Sequence, residues 1–141
     1  MSVVLSLDYG KRRIGIAVSD PSGTIATAWG CHRTPEDGAV APFLERIIAE
    51  RGVQTIVMGL PLTADGRETD LAQRARNMAE HLGHTLSLPV HLVDERYSSQ
   101  EADRWLRQGD TRRRDKGERD AVAAELILQQ YLDSGVGGGI T

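Results

Sequence analysis

The sequence predicts an α/β domain in layers, with a five-stranded mixed sheet flanked by helices. Two observations support this. Three short runs rich in β-branched and apolar residues follow one another near the N-terminus. Beyond them, segments with apolar residues at helical spacing alternate with short strand-like runs. Strands separated by helices pair in parallel, whereas strands joined by short turns pair antiparallel. We therefore expect three antiparallel strands followed by two parallel ones.

The first three predicted strands cover residues 2–7, 13–19 and 24–33. The connections between them contain Tyr9-Gly10-Lys11-Arg12 and Pro21-Ser22-Gly23, both typical of turns. A three-stranded antiparallel unit is the simplest arrangement of these runs.

Helices alternate with strands in the rest of the chain. Apolar residues recur three and four positions apart in each helical segment, which is typical of a helix with one buried face. Gly52 suits the C-terminal end of the first helix. Residues 109–119 are polar and we expect them to be mobile. The predicted helices cover residues 43–48, 71–82, 98–106 and 119–132, and the predicted strands cover residues 54–58 and 90–93.

Length and composition indicate one small domain. The chain has 141 residues, 40% of them hydrophobic, which suits a single core. We expect residues 1–134 to form it and the glycine-rich residues 135–141 to be a flexible tail. The single cysteine, Cys31, excludes an internal disulfide. We see no leader and no apolar run of about 18 residues, so we expect a cytoplasmic protein without a membrane anchor.

The formal net charge of -3 argues against a nucleic-acid-binding protein that relies on a broadly basic surface. Any contact with a polyanion must therefore be local.

Three acidic residues occupy positions that this topology would bring to one edge of the sheet. Asp8 follows the first strand and Glu95 follows the last, and the carboxyl ends of parallel strands lie at one edge of a sheet. Asp120 begins the last helix, on the face continued by Ala124 and Ile127. Carboxylate oxygens are the ligands that Mg²⁺ and Mn²⁺ prefer. A pair of such ions hydrolyses phosphodiesters without a histidine base.

Each acid also has an ordinary structural interpretation. Asp8 could accept hydrogen bonds from turn amides. From spacing alone, Asp94 is as suitable a metal ligand as Glu95, although the two are adjacent and adjacent strand residues point to opposite faces. Asp120 could be a first-turn residue stabilised by the helix dipole.

Basic and aromatic residues lie close to these acids. Tyr9 and Tyr97 are candidates for stacking on unpaired bases, although packing is the more common role of such tyrosines. The basic residues could guide a phosphate backbone, or they could simply be solvated loop residues. They are Lys11, Arg12 and Arg13 after Asp8, and Arg112, Arg113, Arg114, Lys116 and Arg119 before Asp120.

Four motifs resemble those of the YqgF/RuvX family. The resemblance implies a ribonuclease H-like three-layer fold, with Asp8, Glu95 and Asp120 as the three metal-binding acids of the family. It thereby selects Glu95 over Asp94. The motifs are LDYGKRRIGIAVSD at residues 7–20, MGLPL at 58–62, DER at 94–96 and DAVAAELILQ at 120–129.

The same resemblance implies an endonuclease dependent on Mg²⁺ or Mn²⁺. Its expected substrate is a Holliday junction in DNA or the 5′ end of precursor 16S rRNA. A symmetric junction needs two cuts and would favour a homodimer. The chain departs from RuvC-type resolvases, because the strand before Gly59 ends without an acid and Ala123 stands where a fourth carboxylate is expected.

Two other functions are compatible with parts of the sequence. One is a nucleic-acid-binding or ribosome-assembly factor with little catalysis. The other is the phosphate chemistry of actin-like ATPases and sugar kinases, because Asp8-Tyr9-Gly10 before Gly15 is similar to their first phosphate loop. Those enzymes use two such domains, and this chain also lacks a P-loop motif.

Overall fold

The computed structural model of the chain describes residues 3–10, 13–33, 40–60, 69–94 and 116–133, with the backbone alone for residues 33, 94 and 116–120. Within these ranges one five-stranded sheet is flanked by three helices. The elements are β1 (Val3–Tyr9), β2 (Arg13–Ser19), β3 (Ala26–Arg33), α1 (Val40–Arg51), β4 (Val53–Leu60), α2 (Asp70–Leu86), β5 (Val90–Asp94) and α3 (Lys116–Asp133).

The central strand of the sheet is β1, in the order β3-β2-β1-β4-β5. It pairs antiparallel with β2 and parallel with β4, while β2–β3 is antiparallel and β4–β5 is parallel. The predicted mixed sheet is therefore confirmed. Because β1, β4 and β5 run in the same direction, their carboxyl ends share one edge of the sheet.

Side chains of β1 alternate between two core regions. Leu5 and Leu7 are fully buried on the face covered by α1 and α2. Val4 packs on the opposite face, against residues of α3. The domain therefore has three layers, with the sheet between α1 and α2 on one side and α3 on the other. None of the helices in the described ranges is long and apolar enough to cross a membrane.

The two helices before β5 have well-defined ends. Thr69 precedes α2, and its hydroxyl accepts a hydrogen bond from the backbone N–H of Ala72 at 3.2 Å. Gly52 follows α1 with φ 71° and donates its N–H to Ile48. The predicted glycine at the end of α1 is thus confirmed, since this left-handed conformation favours glycine.

The element boundaries next to Asp8 and Asp120 differ from the sequence prediction. Strand β1 continues to Tyr9, because Asp8 and Tyr9 still pair with Gly15 and Ile14 of β2. Helix α3 begins at Lys116, so the expectation of a mobile segment up to residue 119 is wrong for its last four residues. The predicted helix at 98–106 and the predicted tail at 135–141 lie outside the described residues.

Tyr9 is a core residue and is only 5% exposed. Its side chain belongs to the cluster shared with α1 and α2. The interpretation of Tyr9 as a base-stacking residue is therefore wrong, and the packing interpretation is correct. Tyr97 lies outside the described residues.

Strand β3 is at one edge of the described sheet, and side chains of α3 bind its backbone. The Gln129 side-chain oxygen accepts from the N–H of Ala26, and its amide nitrogen donates to the carbonyl of Thr24, both at 2.9 Å. Glu125 accepts from the N–H of Ala28 at 3.0 Å. Gln129 thus bonds as a peptide group of a neighbouring strand would, which protects the edge from pairing with another chain.

Replacing Gln129 by alanine should destabilise the domain, because the N–H of Ala26 and the carbonyl of Thr24 lose their partner. We expect Gln129→Ala to lower the free energy of unfolding by about 1 to 3 kcal/mol in urea titrations. The matched control is Gln73→Ala, since Gln73 is an exposed helical glutamine bonded to Asn77 one turn away. The control should change stability by less than about 0.5 kcal/mol. Equal effects of the two variants would contradict this role for Gln129.

The β2–β3 loop is organised by Asp20. Its carboxylate accepts from the N–H groups of Thr24 and Ile25 at 2.8 and 2.9 Å and from the hydroxyl of Ser22. These bonds use the backbone groups that would otherwise begin the strand, so β3 starts at Ala26 rather than at the predicted residue 24. Hydrogen bonds from Ile25, Ser22 and Thr24 lower the pKa of Asp20 from 3.8 to about 2.

The lowered pKa of Asp20 predicts a specific acid sensitivity. A carboxyl whose pKa is depressed by folding stabilises the native state above its unfolded value of 3.8, and this contribution is lost as the pH falls through about 2. The difference in unfolding free energy between wild type and Asp20→Asn should therefore shrink between pH 4 and pH 2. Carboxyl carbon NMR should give a midpoint for Asp20 near 2, and a midpoint near 3.8 would contradict the prediction.

Candidate active site

Asp8 lies near the carboxyl end of the central strand and is half-buried. Its direct neighbours in the sheet are Gly15 on β2 and Gly59 on β4. Directly paired residues project their side chains to the same face, side by side. Both positions next to the Asp8 carboxylate therefore carry no side chain.

The direction of α3 follows from its bonds to β3. Gln129 binds Ala26, and Glu125, one turn earlier in the helix, binds Ala28, two residues later in the strand. Helix α3 therefore runs opposite to β3. Because β3 and β1 are both antiparallel to β2, they run the same way, and α3 is antiparallel to β1 as well. The N-terminal part of α3 thus lies at the carboxyl edge of β1.

Ser6 links β1 directly to this helix. Its hydroxyl donates to the carbonyl oxygen of Ala124 at 2.7 Å, and Ser6 is fully buried. Asp8 is two strand residues further on, about 6.6 Å along β1. Asp120 is four helical residues back, about 6 Å along α3 in the same direction. The backbones of Asp8 and Asp120 therefore lie at the same level along the direction of β1. Each is about 6 Å beyond the hydrogen-bonded pair Ser6 and Ala124.

The position of Asp120 within its helix differs from the expectation. Because α3 begins at Lys116, Asp120 is its fifth residue and lies in the second turn. The effect of the helix dipole falls off within the first turn. The alternative interpretation, in which Asp120 is a first-turn residue stabilised by the dipole, is therefore wrong.

Glu95 comes directly after β5 and lies outside the described residues. The position of the strand before it is given by its pairing with β4, in which Asp94 pairs with Leu60 and Val93 pairs with Gly59. Val93 packs in the cluster beneath α3, so it shares the face of Asp8. The end of β5 is therefore two strands from Asp8 at the same edge of the sheet.

The basic residues are described only in part. Arg13 begins β2 and is half-buried, and its carbonyl accepts the N–H of Gly10 at 3.0 Å. Lys116 and Arg119 lie in the first turn of α3. Their joint binding of a phosphate backbone stays a prediction. Lys11, Arg12, Arg112, Arg113 and Arg114 lie outside the described residues.

The donor chemistry of the three acids suits a hard divalent cation. Carboxylates alone favour Mg²⁺ or Mn²⁺, whereas zinc sites draw on cysteine and histidine. Among the side chains that the structure describes, no three histidine, cysteine or acidic residues are close enough to hold a metal ion. Glu95 and the side chain of Asp120 are not in that set, so the three acids fit the ion by their donor chemistry, and their joint binding of it stays a prediction.

Sequence reasoning missed two features of this site. Ser6 interrupts an otherwise apolar strand, which is a weak signal for a buried hydrogen bond. Gly15 and Gly59 stand inside strands where glycine is unfavourable, and such glycines often mark the close approach of a ligand or another backbone. Their common level with Asp8 depends on strand register and is not visible in the sequence.

Residues 2–134 match the family model described as RuvX, Holliday junction resolvase. The chain belongs to the RuvX family. This confirms the family resemblance of the four motifs and the prediction of an enzyme of the nuclease class.

Relatives match almost the whole chain. A protein of Dictyoglomus turgidum is 37% identical over 132 residues, covering 93% of this chain and 94% of the relative. A protein of Maridesulfovibrio salexigens is 41% identical over 131 residues, covering 92% and 96%. Both carry the name "Putative pre-16S rRNA nuclease".

The fold agrees with that of a solved structure of RuvC. RuvC of T. thermophilus, in complex with a Holliday junction substrate, has a TM-score of 0.58 to this chain at 12% identity, and the match covers 99% of this chain and 98% of RuvC. The predicted ribonuclease H-like fold of this RuvX protein is confirmed.

The turn beside Asp8 should not tolerate a side chain at Gly10. A Cβ there would lie 2.7 Å from the carbonyl oxygen of Arg13, so the backbone would have to move. We expect Gly10→Ala to lower the free energy of unfolding by about 1 to 3 kcal/mol, measured in urea. The control is Gly83→Ala in α2, whose Cβ would meet neighbours at 3.6 Å. Helix propensity favours alanine there by about 1 kcal/mol, so a larger loss in the control would contradict the argument.

Proposed function

We propose that this RuvX protein hydrolyses phosphodiester bonds of precursor 16S rRNA with Mg²⁺ or Mn²⁺ held by Asp8, Glu95 and Asp120. One observation carries the proposal. The bond from Ser6 to Ala124 sets α3 so that Asp120 lies at the level of Asp8, at the carboxyl edge of the sheet. A cation bound at this edge would offset the mutual repulsion of the two carboxylates.

The alternation of β5 supports Glu95 as the third ligand. Val93 lies on the face of Asp8, and strand residues two apart share a face. Continuation of the strand by one residue would give position 95 the same face and position 94 the opposite one. The choice of Glu95 over Asp94, which the family resemblance made, thus has a geometric argument as well.

The residues of the chain have distinct roles in this proposal. Asp8, Glu95 and Asp120 hold the cations, which activate water and stabilise the leaving oxygen when bound. The basic residues bind the phosphate backbone on either side of the cut. Because the chain carries a net charge of -3, this binding has to be concentrated near the site. The basic residues are Lys11, Arg12, Arg13, Arg112, Arg113, Arg114, Lys116 and Arg119.

The choice of substrate rests on the relatives. Those named for pre-16S rRNA match this chain at 37% and 41% identity over nearly its whole length. The Holliday junction is the second candidate, favoured by the description of the family and by the RuvC complex. The likeness to RuvC, at 12% identity, supports the fold and gives less weight to the substrate. Processing of rRNA also agrees with the expected cytoplasmic location.

The oligomeric state of the protein would help to decide between the two candidate substrates. A four-way junction is symmetric and requires two cuts, which a two-fold homodimer provides. Trimming one RNA end requires a single site, so a monomer that cleaves precursor RNA is compatible with the main proposal. Light scattering under the assay conditions distinguishes these states.

Asp8→Asn tests the proposed site. The variant keeps the size of the side chain but loses its charge, so cleavage should fall by about a thousandfold or more, equivalent to several kcal/mol of cation-mediated stabilisation. The assay follows cleavage of precursor 16S RNA and of a four-way DNA junction with Mg²⁺, Mn²⁺ or EDTA. Asp70→Asn is the control, because Asp70 is exposed in the first turn of α2.

The outcomes separate the proposals. Asp8→Asn as active as wild type would exclude Asp8 as a ligand. Cleavage of the junction alone would select the second candidate. A wild type that binds RNA but does not cut it would favour the assembly-factor function, and metal-dependent ATP turnover without cleavage would favour the kinase-like chemistry.

A further inference from the structure

Gly59 lies between Asp8 and the end of β5. In the register of the sheet Asp8 pairs with Gly59, and Gly59 pairs with Val93. Neighbouring strands are about 4.8 Å apart, so the backbones of Asp8 and Val93 are separated by about 10 Å. A side chain at position 59 would rise from the middle of this span, on the face of Asp8.

Backbone conformation does not explain this glycine. Among the described residues the glycines with positive φ are Gly23, Gly30 and Gly52. Gly59 therefore has an ordinary strand conformation that any residue can adopt. Glycine inside a strand is unfavourable because it loses more entropy on folding and packs no side chain. The absence of a side chain at this position needs another cause.

Helix packing explains Gly15 better than Gly59. Helix α3 binds β1 through Ser6 and β3 through Ala26 and Ala28, so it crosses the strand between them, β2. Gly15 is on β2, where a missing side chain allows the helix to come close. Gly59 is on β4, on the other side of Asp8, and α3 contacts β4 less than it contacts β1, β2 and β3.

We propose that Gly59 forms the floor of the metal site, and that the bound cations and the substrate phosphate would occupy the space that a side chain at position 59 would fill. The inference rests on the proposed function, since it takes Asp8 on β1 and Glu95 after β5 as ligands. Strands β1 and β5 are about 10 Å apart, so a carboxylate on β1 and one that follows β5 can reach a shared pair of cations only across β4. A glycine on that strand adds no side chain of its own to the space between them.

A series of side chains of increasing size tests this role. Binding of Mn²⁺ without substrate is measured by calorimetry for wild type, Gly59→Ala and Gly59→Val. We expect the dissociation constant to rise about tenfold for alanine and further for valine, a loss comparable to that of removing a residue that supports metal ligands. Gly83→Ala, outside the site, should stay within twofold of wild type. Urea titrations show whether each variant is folded. If Gly59→Val does not fold, Gly59→Ala alone decides the test.

The same titration on Asp8→Asn separates the two proposals. Wild-type affinity in Asp8→Asn, or no Mn²⁺ binding by the wild type, would reject the proposed metal site and the role of Gly59 with it. Binding that depends on Asp8 but is unchanged in Gly59→Ala would overturn the inference about Gly59 alone. A dissociation constant that increases with the size of the side chain at position 59, with Gly83→Ala unaffected, would support it.

Discussion

The docking of α3 across the sheet is the constraint on which the rest of the structure depends. Apolar contact alone is not directional, and a helix packed only by Ala124, Ile127 and Leu128 could slide along its groove. The hydroxyl of Ser6 and the side chains of Glu125 and Gln129 instead bind particular backbone atoms. These bonds determine both the direction of the helix and its axial position. The layer arrangement and the level of Asp120 follow from them.

The two faces of strand β1 have different roles. Leu5, Leu7 and Tyr9 complete the core beneath α1 and α2, while Ser6 and Asp8 lie on the face of α3. A shift of one residue in register would exchange these faces, burying a carboxylate in the larger core. The burial of three large side chains therefore also determines where the carboxylate of Asp8 points. Core packing and the geometry of the candidate site are consequently coupled within seven residues.

Much of the fold could be predicted because the signals are local. Period-two and helical patterns, together with Gly52, marked the strands and helices near their observed places. The end of β1 could not be predicted, since Asp8 and Tyr9 are strand residues only because β2 extends alongside them. The start of α3 was missed because Lys116 and Gly117 have no apolar pattern. The acids were recognisable from sequence, but the common level of Asp8, Gly15 and Gly59 arises from pairing between distant segments.

The charge of the proposed site explains how a protein with a net charge of -3 could act on a polyanion. Three carboxylates without a cation would repel both one another and a phosphate backbone. Two divalent cations would offset that charge, and the proposed site would become attractive to the substrate. Binding of metal and binding of nucleic acid are then thermodynamically linked, so each strengthens the other by the same factor. Under this proposal the acids disfavour contact with nucleic acid until the cations are present, and the basic residues around the site need only guide the substrate.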